Sequence, residues 1–321
     1  MKKKICVIGA GYWGKNHIKT LNELGCLYAI VEPDNRLNQK NQTLYPNLKF
    51  YSNLEEAIDD FYIDGFIIAT PAQTHFNLAK KIILRKKPVL VEKPFTLNLE
   101  DAEELKNLAE INKTNVMVGH VLLFHPAVQK IKEIIDLNKI GKLQYIYSNR
   151  LNLGQIRKEE NVFWSLAPHD ISIFQYLTNS FPTRITSNGG DFVQEGVHDT
   201  TITFFEYPEN VKAHIFVSWL HPFKEHRIVV IGSRGMITFE DSVEGKPLKL
   251  YQKGFEIIDG DNLPLKNDGP IEEIDYDMKM PLTEELKYFI GNMDKEYRIS
   301  GIKNAYEVTK ILLKSSDELK K

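Results

Sequence analysis

The chain has 321 residues, of which 42% are hydrophobic and 26% charged, with 19 Gly and 14 Pro; this balance excludes a disordered tail, a collagen-like repeat and a low-complexity segment. Its 41 Lys plus Arg against 43 Asp plus Glu leave a formal charge of −2, without the positive surplus that binding to a phosphate backbone needs, so nucleic acid is not an expected partner. A single hydrophobic core would be near its upper size at this length, and two domains are expected. The two cysteines, Cys6 and Cys26, are too few for a disulfide framework or a Cys-ligated zinc site and read as reduced thiols of a cytosolic protein. The lysines at 2–4 and the apolar residues 5–8 resemble the start of a secretory signal, but Gly9, Gly11 and Gly14 interrupt the run. No later stretch approaches the length of a membrane span, so a soluble, intracellular, cytoplasmic protein with no membrane partner is expected.

Taken in chain order, residues 1–120 alternate short apolar runs with segments of helical period, the pattern of parallel strands joined by crossover helices. Strands are predicted at 4–8, 27–31, 66–69, 89–91 and 116–118, with helices over 73–85 and 100–112 and a first helix beginning inside the glycine segment. From about residue 143 the character changes: 144–151, 200–205, 211–219, 228–231 and 236–239 are β-rich and separated by turn residues, which predicts an antiparallel sheet. Residues 206–210 and 232–235 read as hairpin connections, and the tail over 283–319 returns to helical period. The expected division is an α/β domain over 1–120 followed by a second domain over 121–321, with no internal repeat.

Directly after the first strand comes Gly9-Ala10-Gly11-Tyr12-Trp13-Gly14, the spacing of a dinucleotide fingerprint. Gly9 permits the tight turn, Gly11 lets backbone amides approach a pyrophosphate, Gly14 lets the helix sit close on the strand, and the helix N-terminus supplies partial positive charge. A glycine turn without a ligand is the plainer alternative. Glu32 ends the second strand, 23 positions after Gly9, near the spacing of the carboxylate that binds a ribose 2′-hydroxyl. That favours NAD over NADP, with Asp34 as the fallback ligand, nearby Arg36 softening the discrimination, and an ordinary solvated Glu as the alternative. Thr70 and Pro71 follow the next long strand at the carboxyl edge of the sheet and are placed in the cofactor groove; His75 either packs at a helix start or touches the cofactor.

A further strand delivers Glu92-Lys93-Pro94 to the same edge. An ammonium beside a reacting carbinol can hydrogen-bond its oxygen and stabilise the negative charge that develops as hydride leaves; a Lys93 paired with Glu92, or merely solvated, is the equal alternative. The stretch Asn161-Val162-Phe163-Trp164-Ser165-Leu166-Ala167-Pro168-His169-Asp170 suggests a helix beginning at the proline and presenting His169 from a rigid element. An imidazole titrating near neutrality suits removal of a hydroxyl proton, although most histidines are structural or exposed. Upstream, Arg157 and Lys158 stand in a polar loop; a run of charge is ordinarily a solvated face, but Arg157 is also a bidentate partner for a carboxylate or diphosphate and Lys158 a second point charge. No spacing of His, Cys or paired carboxylates suggests a catalytic metal, and no Gly-x-Ser-x-Gly suggests a hydrolase.

Together, the Gly9 fingerprint, Ala69-Thr70-Pro71, Glu92-Lys93-Pro94, the stretch from Gly119 to Pro126 and the His169 segment resemble the glucose-fructose oxidoreductase and inositol dehydrogenase (Gfo/Idh/MocA) family over nearly the whole chain. The resemblance implies a Rossmann domain followed by an α+β domain on an open, mainly antiparallel sheet that carries substrate specificity and oligomer contacts, as a homodimer or homotetramer. Lys93 and His169 match the family's catalytic pair, and NAD is the implied cofactor. Ser165 stands where many sugar dehydrogenases of the family carry an Asp four residues before the histidine, and Gly119-His120-Val121-Leu122-Leu123-Phe124-His125-Pro126 replaces a more common Arg-containing stretch. These departures, with residues 153–170, resemble the branch that oxidises UDP-N-acetylglucosaminuronic acid at C3 for surface polysaccharide synthesis. The implied substrate contacts are Lys93, His120, Arg157, Lys158, Asn161, His169 and Asp170; the implied cofactor contacts are Gly9, Gly11, Tyr12, Trp13, Gly14, Glu32, Thr70, Pro71, His75, Glu92 and Lys93. Some relatives of that branch recycle a tightly held NADH with a 2-oxoacid. An oxidoreductase of another sugar, keto sugar or inositol is the neighbouring reading, and a redox-inactive dinucleotide sensor is the reading from a different class.

Overall fold

The structure is a computed structural model and describes residues 2–157, 160–256 and 263–320. Its first compact unit comprises Met1–Phe124 with Met280–Lys310, and its second His125–Lys279 with Ile311–Lys321.

The first unit begins β1 (Ile5–Ile8), α1 (Tyr12–Leu24), β2 (Leu27–Val31), α2 (Asn35–Leu44), β3 (Lys49–Tyr51) and α3 (Leu54–Ile58). It continues β4 (Gly65–Ile68), α4 (His75–Leu84), β5 (Val89–Glu92), α5 (Leu99–Asn112) and β6 (Val116–Gly119). The strands form one parallel sheet in the order β3-β2-β1-β4-β5-β6. Strands β1, β4, β5 and β6 are buried along their whole length, which is why they read as unbroken apolar runs: helices cover both faces of a parallel sheet. The strand order reverses between β1 and β4, and ligands of open α/β sheets bind beyond the carboxyl ends of the strands at such a reversal.

The second unit starts α6 (Pro126–Asp136), β7 (Leu143–Leu153), α7 (Val162–Thr178), β8 (Arg184–Gly190), β9 (Thr200–Glu206) and β10 (Lys212–Ser218). It is completed by β11 (Leu220–Gly232), β12 (Met236–Glu240), β13 (Leu248–Glu256) and β14 (Leu265–Glu273). The sheet runs β14-β13-β12-β11-β7-β10-β9-β8. All of its pairings are antiparallel except β7 with β10: the chain leaves β7 through α7 and returns by β8 and β9, so β10 comes back alongside β7 in the same direction. Helix α7 packs on β7, β9 and β10, with Phe174 edge-on to Phe205 at 6.2 Å between ring centroids. The connections at 206–210 and 232–235 join antiparallel neighbours as expected.

Two helices close the chain, α8 (Pro281–Gly291) and α9 (Ile302–Leu319). A single cut at residue 120 therefore misplaces the tail. Helix α8 packs against α1 and against the 3₁₀ turn Val121–Phe124, burying Leu286 and Phe289. Ser300 is hydrogen-bonded to Val118 twice: its hydroxyl donates to the Val118 carbonyl at 2.5 Å, and its own carbonyl accepts from the Val118 amide at 2.9 Å. Apolar burial and paired backbone groups thus return 280–310 to the first unit.

The tightest backbone approach lies between β1 and α1. A Cβ on Gly14 would stand 2.0 Å from the Gly9 carbonyl oxygen, so the helix could not sit where it does with any other residue. Gly14→Ala is expected to lower the unfolding free energy by roughly 1–3 kcal/mol, measured by urea denaturation; an unchanged midpoint would show that α1 draws back at no cost.

Candidate functional site

At the glycine turn of the first unit, Gly9 has φ +92°, and a Cβ there would meet the Ala69 carbonyl oxygen at 2.7 Å. Gly11 is the N-cap of α1, has no side chain to cap the helix, and has no heavy atom within 4 Å of where its Cβ would stand. Open space in front of uncapped N–H groups is the arrangement a pyrophosphate uses. Tyr12 and Trp13 project from this first turn and are exposed.

Glu32 is buried, and its carboxylate joins the end of β2 to that turn: Oε2 accepts from the Ala10 amide at 2.7 Å and Oε1 from the Asp34 amide at 2.9 Å. A carboxylate oriented by backbone amides keeps lone pairs for ribose hydroxyls, so the residues present fit a dinucleotide with a free 2′-hydroxyl. The fallback Asp34 is committed elsewhere. Its side chain caps α2 by accepting from the amides of Leu37 and Arg36, which hold its carboxyl below the usual range.

Beyond β4, the Thr70 hydroxyl lies 2.6 Å from the Thr74 hydroxyl, which donates to the Pro71 carbonyl at 2.7 Å. His75 is buried with both ring nitrogens against carbonyl oxygens, Nδ1 at 2.8 Å from Pro94 and Nε2 at 2.9 Å from Thr70. Of its two readings the structure takes packing: His75 ties the turn after β4 to the turn after β5.

The Glu92 side chain departs from the expected cofactor contact. It is buried and faces α1, accepting from His17 Nε2 at 2.6 Å and from the Lys93 amide at 3.2 Å. Lys93 follows at the carboxyl end of β5, half-buried, and the Lys93–Pro94 bond is cis. His120, just past β6, is buried with neither ring nitrogen hydrogen-bonded among the described residues. Burial, and then the charge of Lys93, push its pKa down to about 3, leaving a neutral imidazole with one donor and one acceptor to offer.

In the second unit, α7 starts at Val162, earlier than the Pro168-His169 start expected from sequence. The Asn161 side chain caps it by accepting from the Trp164 amide at 3.0 Å, so Asn161 is a helix cap first and a substrate contact at most through its remaining amide group. Pro168 lies inside the helix and His169 on its body. Asp170 does not serve as a free substrate contact. It is buried and gripped by Arg150 of β7 through both carboxylate oxygens, Nε to Oδ2 at 2.7 Å and Nη2 to Oδ1 at 3.0 Å. That pair fixes the rotation of α7 on the sheet and with it the direction of the adjacent His169.

Arg150 escaped the sequence reading, although a signal was present: in β7 the inward positions run Ile146, Ser148, Arg150, and a charge at an inward position requires a partner. His226 of β11 has Nδ1 3.5 Å from Arg150 Nη1, and burial together with that cation pushes its pKa down to about 4. Arg157 is exposed and pairs with Glu160 at 2.7 Å; Lys158 lies outside the described residues. No cluster of three or more His, Cys, Asp or Glu able to hold a metal ion occurs among the described residues, nor does any helix there have the length and apolarity to cross a membrane.

Comparison with known proteins matches two family models: "Oxidoreductase family, NAD-binding Rossmann fold" over residues 3–120 and "GFO/IDH/MocA C-terminal domain" over 128–238, together more than half the chain. Among curated relatives, scyllo-inositol 2-dehydrogenase (NAD(+)) of Bacillus subtilis is 27% identical over 248 residues, 73% of this chain and 72% of the relative. The 2,7-anhydro-N-acetylneuraminate hydratase of Escherichia coli is 24% identical over 255 residues, 73% of this chain and 66% of the relative. The solved UDP-N-acetylglucosamine 3-dehydrogenase of Acidithiobacillus ferrooxidans superposes with a TM-score of 0.86 over 99% of this chain and 98% of its own at 19% identity, a likeness of fold alone.

Removing one partner of the Arg150–Asp170 pair strands the other charge, so Asp170→Ala is expected to cost about 3–5 kcal/mol in chemical denaturation, whereas the double change Arg150→Met with Asp170→Leu restores most of it. Protonation supplies a second measurement. The pKa of His226 is lowered on folding, so the unfolded chain binds its proton first as pH falls; the contribution to stability is complete above the unfolded value of 6.5 and is lost towards about 4. The denaturation midpoint should fall as pH drops below 6.5, and His226→Gln should flatten the upper part of that decline.

Proposed function

This chain belongs to the Gfo/Idh/MocA oxidoreductase family, and on that premise we propose that it uses NAD to oxidise the C3 hydroxyl of a nucleotide-linked sugar, UDP-N-acetylglucosaminuronic acid, to the 3-keto sugar. The observation that carries the oxidoreductase reading is the placement of Lys93 at the carboxyl end of β5, in the same sheet whose β1 leads into the dinucleotide turn. NAD, when bound, accepts a hydride. The chain's own residues do the rest. Gly9, Gly11 and Gly14 bring backbone close to the pyrophosphate, and Glu32 takes the ribose. Lys93 donates a hydrogen bond to the substrate oxygen as negative charge develops on it, and His169 accepts the hydroxyl proton. The neutral ring of His120, buried near the charge of Lys93, adds a donor or acceptor for a sugar hydroxyl.

The choice of a uronate rests on the likeness of residues 153–170 to that branch and on Arg157, an exposed guanidinium suited to a carboxylate. The inositol dehydrogenase among the relatives keeps a second substrate class, a free cyclitol, in contention. On the same reading, the half-buried Tyr145 and Tyr147 and the exposed Phe204, on the sheet face away from α7, belong to contact between copies of the chain.

Turnover followed by NADH absorbance should rank UDP-N-acetylglucosaminuronate above UDP-N-acetylglucosamine and both above scyllo-inositol; the reverse order would transfer the assignment to a cyclitol. Lys93→Ala and His169→Ala should each lower kcat/KM by about 10²–10⁴, with NAD affinity unchanged in His169→Ala. Near-normal turnover in either variant would remove that residue from the proposed mechanism. Arg157→Ala should raise KM for the uronate and leave the neutral nucleotide sugar unaffected.

A further inference from the structure

In the second unit the register of β11 breaks where it meets the end of β7. On β7 a single residue, Asn152, separates Leu151 from Leu153, whereas their partners on β11, Glu225 and Leu220, enclose His221, Pro222, Phe223 and Lys224. Surplus residues of this kind leave the ladder and re-aim their side chains. The bulge is held in shape from within: His221 Nδ1 lies 2.8 Å from the Phe223 carbonyl oxygen, and the two rings meet edge to face at 4.5 Å between centroids. Phe223 is nevertheless 61% exposed, and the cross-strand pair Leu153 and Leu220 beside the bulge is exposed as well. Neighbouring apolar side chains left in water and rimmed by charge mark a binding surface.

The charge beside the ring is positive. Lys224 is exposed and forms no ion pair among the described residues. Glu225, which follows it, is occupied: its Oε1 accepts from Asn149 Nδ2 at 2.8 Å and lies 3.6 Å from Arg227 Nη1. The loop that carries Arg157 starts at the same end of the sheet. The Gly154 amide donates to the Trp219 carbonyl at 3.0 Å, and a Cβ on Gly154 would stand 2.7 Å from Trp219 Cδ1, so the chain leaves β7 pressed against the residue that precedes β11. Three residues span about 11 Å at most, which keeps Arg157 at the edge where the bulge stands.

We propose that the β11 bulge is a nucleoside diphosphate subsite, in which the base stacks on Phe223 beside Leu153 and Leu220 and Lys224 takes the diphosphate. The inference deepens the nucleotide-sugar reading given above and rests on it; Arg157 remains the partner of the sugar carboxylate. A planar base covers the exposed ring face, and an ammonium without a counter-ion is a point charge that phosphate oxygens can claim. Stacking tolerates any base, because every base has a π-face. The subsite therefore separates a nucleotide-linked sugar from a free one without reading which base it carries.

The test is calorimetric titration of the full-length protein with UDP, at saturating NAD so that the dinucleotide turn is already filled. The wild type should bind UDP, Phe223→Ala should bind it about 10-fold or more weakly, and Phe223→Tyr, which keeps the ring, should bind it as the wild type does. Lys224→Gln should weaken UDP binding and flatten its dependence on salt. Phe192→Ala removes another exposed ring, beyond the end of the edge strand β8, and should change nothing. No binding of UDP by the wild type, or equal affinity in Phe223→Ala, overturns the proposal, as does a loss in Phe192→Ala as large as that in Phe223→Ala. Sedimentation velocity supplies the remaining outcome: a changed oligomeric state in Phe223→Ala with UDP affinity intact would make the bulge a contact between copies instead. UDP binding that depends on Phe223, without turnover of the uronate, counts against the assigned sugar alone; turnover of the uronate without that dependence counts against the subsite alone.

Discussion

A charge withdrawn from water must be matched, and in each unit the side chain assigned to chemistry is the sequence neighbour of a buried carboxylate matched to another element. Lys93 follows Glu92, which β5 delivers against His17 of α1. His169 precedes Asp170, which α7 delivers against Arg150 of β7. A carboxylate fixed at both oxygens leaves its backbone little freedom to rotate, so the next residue inherits a direction. Breaking such a pair leaves an unpaired charge in a low-dielectric interior, which is why it resists the small rearrangements an exposed ion pair tolerates. The residue assigned to chemistry is half-buried in each unit, beside an anchored neighbour.

The dinucleotide turn applies the same economy to backbone. The contact between Gly9 and Gly14 leaves no room for a Cβ, and the open space at Gly11 faces the uncapped start of α1. Glu32 ties Ala10 to the end of β2 and so prevents the turn from drifting away from the strand it follows. Binding there depends on little side-chain ordering, because the donors are amides already fixed by the sheet and the helix.

Much of this was legible in the sequence because it follows from periodicity and from glycine. The five strands read in the first 120 residues are all present, four of them with ends shifted by a residue. The strand Lys49–Tyr51 went unread because three residues carry no detectable alternation, and β14 because its side chains are almost all exposed and give no apolar face to find. The early start of α7 was hidden by Pro168, which reads as a helix beginning yet is accommodated inside one once Asn161 has capped it. Side-chain partners were the least legible. Sequence places Glu92, Asp170 and Asn161 near the right edges, but whether a polar group faces a ligand or another element depends on contacts between residues distant in the chain, such as His17 with Glu92 and Arg150 with Asp170.

That distinction bears on substrate choice. Arg157 and Arg150 carry the same side chain, yet only one can be lent to a ligand. Arg150 is enclosed, grips Asp170 through two nitrogens and holds its charge firmly; a substrate carboxylate could not displace Asp170 without stranding it. Arg157 is mostly exposed and shares Glu160 through a single nitrogen. An ion pair of that kind contributes about 0–1 kcal/mol, so an incoming carboxylate can take the guanidinium over and leave Glu160 to water. On the proposed reading, selectivity for a charged sugar rests with Arg157, while the Arg150–Asp170 pair holds α7 whichever sugar is bound.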